Sequence, residues 1–124
     1  MMGIAARWAD EWNVWGTPET VCRHTTVFLA ACDRVGRNPS AVHRSSQALV
    51  FLTDDAERAE SMRARVAGDR ALVGSPKQLV EQIGRDAELG LDEFILPDFT
   101  SGKSPEKRLE TLERFATEVA AQLA

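Results

Sequence analysis

The sequence predicts an α/β fold with a parallel sheet, and three observations lead to this prediction. A small hydroxyl residue followed by proline occurs three times, as Thr17-Pro18, Ser75-Pro76 and Ser104-Pro105, and each pair signals the start of a helix. Residues 48–52 are all apolar, which is typical of a strand covered on both faces. Residues 74–97 read as one helix followed by one strand, which is half of an α/β repeat.

The first third of the chain contains two predicted helices. Residues 4–12 form the end of an amphipathic helix, and residues 13–15 form a very short strand. Thr17 and Pro18 open the second helix, which ends near Gly36. Its buried stripe is predicted from helical spacing and comprises Val21, Thr25, Phe28, Cys32 and Val35, with Cys22 and Leu29 alongside.

The middle of the chain continues this alternation. After the apolar strand, Asp54 and Glu57 form a capping-box pattern that opens a charged surface helix reaching about Ala67. Residues 71–73 are extended or turn-like. Ser75 and Gln78 form a second capping box, and the helix they open is followed by a strand at residues 94–96.

The last third ends in one more helix. Gly90 supplies the left-handed stop of the preceding helix, and residues 98–102 form a loop. Ser104 and Pro105 then open the final helix. Its predicted apolar face consists of Leu109, Leu112, Phe115, Ala116, Val119 and Leu123.

Length and charge exclude several classes of protein. The 124 residues predict a single domain over residues 1–124. The net charge of -4 and the scattered basic residues argue against nucleic-acid binding. Apolar runs are too short for a membrane helix, and two histidines with two distant cysteines offer no metal site. We therefore expect a cytoplasmic protein without membrane, nucleic-acid or metal partners.

Motifs that specify chemistry are absent from the sequence. It contains no phosphate-binding glycine loop, no nucleophile elbow and no Cys-x-x-Cys pair. In parallel α/β folds, function lies in the loops at the carboxyl ends of strands, which here are residues 15–17, 53–54 and 97–100. Asp54 and Asp55 are better explained by helix capping than by catalysis, and His24 and His43 by structural roles. We assign no catalytic residue.

Three stretches resemble the C-terminal part of the luciferase-like monooxygenase family, which includes bacterial luciferase and deazaflavin-dependent oxidoreductases. They are AARWADEWN at residues 5–13, LAACDRVGRNP at 29–39 and GSPKQLVEQIGRDAELGLDEFILP at 74–97. The last is similar to a recurring Gly-Thr-Pro-Glu helix and Gly-Val-Asp-Glu-Phe strand of the family. The resemblance implies a partial, half TIM-like (β/α) barrel, because a complete one takes about 250 residues.

The resemblance also implies a cofactor, FMN or a deazaflavin coenzyme, bound at the carboxyl ends of the strands. The cofactor-binding residues it points to are Gly3, Trp12, Trp15 and Pro97. The tryptophans Trp8, Trp12 and Trp15 could line a flat ring-shaped ligand, but they are better explained as core or interface residues. We expect a homo-oligomer or a partner chain to complete the barrel, because a partial barrel leaves strand edges open.

Two functions remain open from the sequence. The first is a flavin- or deazaflavin-dependent oxidoreductase or monooxygenase fragment whose activity is assembled between chains. The second is a non-catalytic dimeric interaction module derived from the same fold. A third explanation for the short length is a truncated product of a longer reading frame.

Overall fold

The computed structural model describes residues 1–66 and 68–124, in which helices and strands alternate along most of the chain. The first half contains α1 (Met2–Trp8), β1 (Glu11–Trp15), α2 (Pro18–Val35), β2 (His43–Gln47), β3 (Leu49–Leu52) and α3 (Ala56–Arg65). The second half contains β4 (Ala71–Gly74), α4 (Pro76–Glu88), β5 (Glu93–Ile95), α5 (Pro105–Phe115), a π-helical segment (Ala116–Ala120) and α6 (Ala121–Leu123). Single 3-10 turns occur at Pro39–Ala41 and Asp98–Thr100.

All strand pairs in the described chain are parallel and form two sheets. The larger sheet has the order β1-β2-β5, and the smaller one pairs β3 with β4. The predicted strand at residues 48–52 is thus the second part of a longer extended segment. Ala48 separates the two parts of this segment. The first part, β2, pairs with β1 and β5, and the second part, β3, pairs with β4.

The three-stranded sheet has one covered face and one open face. On the covered face Trp12 stacks on Phe28 of α2, with ring centroids 4.5 Å apart, and Val14 packs against Val21. Side chains alternate along a strand, so the neighbouring residues point the other way. The open face consists of Glu11, Asn13 and Trp15 of β1, His43, Ser45 and Gln47 of β2, and Glu93 and Ile95 of β5.

The core lies between the strands and the helices that cover them. One cluster joins β3 and β4 to α4 and to the C-terminal helix; it contains Ala48, Val50, Leu72, Leu79, Ile83, Phe115 and Val119. A second cluster holds α1 against α2 through Ala6, Phe28, Ala31, Cys32 and Val42. Burying these side chains stabilises the fold by roughly 25 cal/mol for each Å² of apolar surface.

Five local predictions need correction. The first helix ends at Trp8, and Trp12 lies in β1, because the chain leaves the helix at Ala9 in an extended conformation. The predicted apolar face of that helix is not buried: Trp8 is 74% exposed, and Ala6 is the buried residue. Cys22 is exposed, since it lies beside the buried stripe of α2.

The other corrections concern α3 and β5. The N-cap of α3 is Asp55, whose carboxylate accepts hydrogen bonds from the backbone N–H groups of Glu57 and Arg58. The predicted end of this helix near Ala67 falls outside the described residues, and α3 ends at Arg65. β5 is an edge strand with an exposed to half-buried pattern, so it is not the buried strand that its apolar residues predict.

Candidate functional site

The carboxyl ends of the three parallel strands meet in one row. Trp15 of β1 lies beside Gln47 of β2, and Gln47 lies beside Ile95 of β5. All three side chains point to the open face. The indole ring of Trp15 is half-buried, and its Nε1 donor is buried without a hydrogen-bond partner among the described residues. This row is the part of the sheet where a ligand of a parallel α/β fold binds.

The structure brings only two of the four predicted cofactor residues to this edge. Trp15 is in the row itself, and Pro97 follows β5 and precedes the turn at Asp98–Thr100. Trp12 lies on the covered face against Phe28, on the opposite side of β1 from Trp15. Gly3 lies inside α1, where an added Cβ atom would meet no heavy atom within 4 Å, so a side chain would fit there. A role in cofactor binding stays a prediction for all four.

A large cavity opens beside β3, at the carboxyl ends of the strands. Its volume is about 740 Å³, and it lies between α3, β3, the loop after β5 and α5. Thr53, Asp54 and Thr100 line it, so two of the three loops that the sequence singled out converge here. Thr100 fixes the loop by donating a hydrogen bond from Oγ1 to the carbonyl oxygen of Val50 in β3.

Most acidic groups that line this cavity already have partners. Asp54 pairs with the guanidinium group of Arg114, which also contacts Glu118 at 2.6 Å. The hydrogen bond with Asp54 is the main reason why the pKa of Arg114 is raised above its ordinary value. Glu110 pairs with Lys107 at 2.9 Å.

Two cationic side chains in the cavity wall are left without an ion pair among the described residues. They are Arg58 of α3 and Lys103 of the loop before α5. The remaining carboxylate, Asp55, is used as the N-cap of α3. With Glu118, which also contacts Arg114, the four cationic side chains of the wall are matched by four carboxylates.

The sequence patterns did not point to three residues of this cavity wall, which are Arg58, Ser101 and Lys103. One signal was available, because Lys103 and Lys107 flank the Ser104-Pro105 start of a helix, where the helix dipole disfavours cations. The convergence of α3 with the loop before α5 was not available, since the two segments are about forty residues apart in sequence.

A second, smaller cavity of about 140 Å³ borders a buried carboxyl group. Asp86 of α4 is only 3% exposed and accepts a hydrogen bond from Ser46 Oγ of β2 at 2.6 Å. Its other oxygen, Oδ1, has no partner among the described residues. Burial raises the pKa of this carboxyl, and the hydrogen bond from Ser46 opposes the shift.

Neither a metal centre nor a membrane span is found in the described part of the chain. Residues 1–66 and 68–124 contain no group of three or more His, Cys, Asp or Glu side chains arranged to hold a metal ion. In the same residues, no helix has the length and apolar character needed to cross a bilayer.

No protein-family model matches the chain, and no curated protein matches its sequence. Solved structures do match it. The coenzyme F420-dependent tetrahydromethanopterin reductase from Methanopyrus kandleri superposes with a TM-score of 0.72, over 100% of this chain and 48% of the reductase, at 13% identity. The monooxygenase RslO1 from Streptomyces bottropensis gives 0.66, with 99% of this chain, 45% of its own and 18% identity.

A third structure is the FMN-containing oxygenating constituent of 3,6-diketocamphane monooxygenase from Pseudomonas putida, with a TM-score of 0.62, 99% and 45% coverage and 18% identity. At such low identities these likenesses show the fold alone. The predicted α/β fold with parallel strands and covering helices, part of a TIM-like barrel, is confirmed. The chain spans about half the length of the solved structures it matches.

Proposed function

We propose that this chain is one part of a luciferase-like flavin- or deazaflavin-dependent oxidoreductase, with the active site assembled together with further barrel strands. One observation carries the proposal. Essentially the whole chain matches about half of several such enzymes, and the carboxyl ends of its parallel sheet β1-β2-β5 form an open row. The single domain over residues 1–124 and the cytoplasmic location stay predictions.

The residues at this row fit one wall of a site for a flat ring. Trp15 offers the half-buried surface of its indole ring, on which a flat ring can stack. Pro97 and the turn after it border the same edge. When bound, a flavin or deazaflavin supplies the redox chemistry. The side chains of this chain would orient the ring and exclude water on one side.

A partner chain or a second copy would have to supply the other wall. A closed (β/α)8 barrel has eight strands. The chain matches about half the length of such enzymes, so a partner that carries the remaining parallel strands would complete the barrel. It would pair with the outer edges of β1 and β5, which have no neighbour in the described chain.

The acidic side chains on the open face favour a partner that presents basic side chains to it. Glu11 and Glu93 are exposed on it, together with Asp92 just before β5. The cationic group beside them is the imidazole of His43, 3.7 Å from Glu93, which carries charge only when protonated. A second copy would bring the same carboxylates against this face, whereas a partner with lysine or arginine there would be attracted.

The test is purification of the untagged protein from its native source at low ionic strength. We expect a complex with a chain of the complementary βα units, with an absorption band from a flavin or deazaflavin. A structure of the complex should continue the sheet at β1 and β5. The substitution Ile95→Lys, at an exposed edge position, should release the partner and the cofactor while leaving the isolated chain folded. A colourless monomer that binds neither FMN nor F420 would contradict the proposal.

The second candidate, a non-catalytic dimeric interaction module, has one observation in its favour. Six of the eight side chains on the open face are polar or charged, so water can cover most of this face in the absence of a cofactor. A colourless, stable homodimer would support this function. The same experiment therefore separates the two candidates.

A further inference from the structure

We infer that the small cavity beside Asp86 is a binding site for a short-chain alkylammonium ion, an organic cation that carries one protonated amine on an apolar chain. The cavity has a volume of about 140 Å³ and lies between α4, the sheet and the C-terminal helix. It borders Ser46 on the covered face of β2, whereas the row at Trp15 lies on the open face. The site is therefore separate from the one proposed for the redox cofactor, and it needs no partner chain.

The floor of the cavity holds a carboxyl group with an unused acceptor. Asp86 is 3% exposed and Ser46 is fully buried, and both residues line the cavity. Ser46 Oγ donates a hydrogen bond of 2.6 Å to Oδ2 of Asp86, and Oδ1 has no partner among the described residues. A buried carboxylate oxygen normally accepts a hydrogen bond. Oδ1 is therefore an acceptor for an N–H group that enters the cavity.

The described part of the chain supplies no cation that pairs with this carboxyl group. Arg85, the residue before Asp86, is bound to Glu19 at 2.8 Å and makes no hydrogen bond with Asp86. Because the carboxyl group is buried without a cationic partner, its pKa is raised. A positively charged group in the cavity would favour the ionised form and reduce the free-energy cost of burying that charge.

The rest of the wall determines which kind of cation fits. Ile83, Leu91, Phe94 and Leu123 line the cavity with apolar side chains. They suit an alkyl chain, whereas a metal ion would need further oxygen ligands in their place. At about 30 Å³ for each water-sized group, the cavity holds roughly five such groups. An n-butylammonium ion, which has four carbon atoms and one nitrogen atom, has this size.

The entrance of the cavity is acidic and attracts cations. Asp92 and Glu93 line it, and their side chains are 50% and 54% exposed. Both carboxylates lie within 4 Å of the imidazole of His43, which is charged only when it is protonated. Exposed charges act mainly on the rate of association and are screened by water, whereas a buried charge acts on affinity. Binding should therefore depend on Asp86 more than on Glu93.

The experiment is an NMR titration of the ¹⁵N-labelled chain at pH 7 with n-butylammonium chloride, 1-butanol and sodium butyrate. The amine is protonated at this pH, as a lysine side chain is. We expect saturable shifts at the backbone amides of Asp86, Ala87 and Phe94 with n-butylammonium. 1-Butanol has the same chain without the charge, so it should bind about tenfold or more weakly. Butyrate has the opposite charge and should not bind.

A fourth compound distinguishes two sources of the same chemical group. Nα-acetyl-lysine methylamide carries an ammonium group on an alkyl chain that is attached to a peptide unit. If it also reaches saturation, the site accepts a lysine side chain of another protein. If n-butylammonium alone does so, the ligand is a free amine.

Variants at the floor and at the entrance make the test specific to the cavity. Asp86→Asn keeps the shape of the side chain and removes its charge, so it should bind n-butylammonium about tenfold or more weakly. Glu93→Gln should weaken binding by no more than about threefold, because its carboxylate is exposed. Asp33→Asn is the matched control, since Asp33 is an exposed aspartate of α2 outside the cavity. The dispersion of each NMR spectrum reports folding.

Equal binding of n-butylammonium and 1-butanol would overturn the inference, because the carboxylate would then play no part. This comparison uses the unchanged chain, so it tests the site even if Asp86→Asn fails to fold. Equal affinity of Asp86→Asn and Asp33→Asn, saturable binding of butyrate, or shifts that never saturate would overturn it as well. None of these results depends on a flavin, a deazaflavin or a partner chain, so the site and the proposed function can fail independently.

Discussion

Asp86 is one of the residues at which this fold buries a polar atom without a hydrogen-bond partner among the described residues. Its carboxyl group lies between α4 and β2, bonded to Ser46 through one oxygen and unpartnered among the described residues at the other. Burying a charge costs free energy unless the charge is paired. Burial therefore raises the pKa of Asp86, and the hydrogen bond from Ser46 opposes this shift.

The sign of the pH dependence follows from this shift. Below the ordinary pKa of 3.8, the group is protonated in both the folded and the unfolded states and has no cost from charge. As pH rises above 3.8, the unfolded state ionises first, so the free energy of unfolding decreases until the pH passes the folded-state pKa. The destabilising effect of the raised pKa is therefore greater at pH 7 than near pH 4.

We predict that Asp86→Asn stabilises the protein at neutral pH. The asparagine side chain keeps an oxygen to accept the bond from Ser46 and removes the buried charge. The melting temperature should rise by several degrees at pH 7, for a gain of about 1 kcal/mol. The gain should shrink as pH falls toward 4, and thermal unfolding followed by circular dichroism measures both effects.

Asp10→Asn is the control for this prediction, because Asp10 is exposed just before β1. It should leave the melting temperature nearly unchanged at pH 7. A stabilisation of Asp86→Asn that is the same at pH 4 and pH 7 would show that the charge is not the cause. Loss of stability would show that Asp86 is paired in solution.

Among the elements, the three helices that begin with a hydroxyl residue and proline differ in how they are capped. Ser75 and Gln78 form a complete capping box, and Ser104 accepts a bond from Lys107 N–H. Thr17 occupies the N-cap position of α2, but its side chain makes no capping bond. The same two-residue pattern thus gives three different N-termini.

The capping bonds predict an order of stabilities. Ser75→Ala and Ser104→Ala should each lower the free energy of unfolding by about 1 kcal/mol, the usual contribution of a serine N-cap. Thr17→Ala should lower it much less, since no capping bond is lost. Urea unfolding of the three variants measures the order. If all three variants lost the same free energy of unfolding, the hydroxyl group would be acting on the unfolded state and not through a capping bond in the folded state.

The sequence was sufficient for the helices that carry their own signals. Ser75, Gln78 and Gly90 marked both ends of α4, and Gly36 adopts the left-handed conformation that ends α2, with φ of 70°. These signals are local, since capping residues act on backbone groups a few positions away. That is why the bounds of α2 and α4 were predictable.

Features that depend on distant parts of the chain were not predictable. Asp54 and Asp55 are adjacent acids with nearly equal capping potential, and the choice of Asp55 goes together with the pairing of Asp54 with Arg114, sixty positions away. The apolar residues of β5 indicated burial, but the strand lies at the edge of a three-stranded sheet. Similarly, the cavity beside β3 combines α3 with the loop before α5, which no local pattern links.

At the scale of the whole molecule, the open sheet is the feature that decides between the two functions. Both outer strands, β1 and β5, have a free edge in the described chain, and free edges of regular strands invite pairing with another chain. The polar composition of the open face reduces the apolar surface that needs cover. The strand edges, more than the face, therefore argue for a partner.

The pattern of backbone hydrogen bonds predicts which N–H groups at the sheet edges are free to pair with a strand of another chain. The amide N–H of Asp92 donates to the carbonyl oxygen of Arg44 in β2. Successive N–H groups of a strand point to alternate sides, so those of Glu93 and Ile95 point outward. On β1 the N–H of Gly16 donates to Gln47, so that of Trp15 points outward as well.

We predict that these outward amides are the least protected of the sheet in the isolated chain. Hydrogen exchange followed by NMR should show Glu93, Ile95 and Trp15 exchanging at rates near those of an unfolded chain, while Ser46 in central β2 is protected. In the assembled complex the three amides should become protected together, because both edges gain a strand. Protection in the isolated chain, with a dimer in sedimentation, would instead indicate that a second copy pairs with these edges and would favour the interaction module.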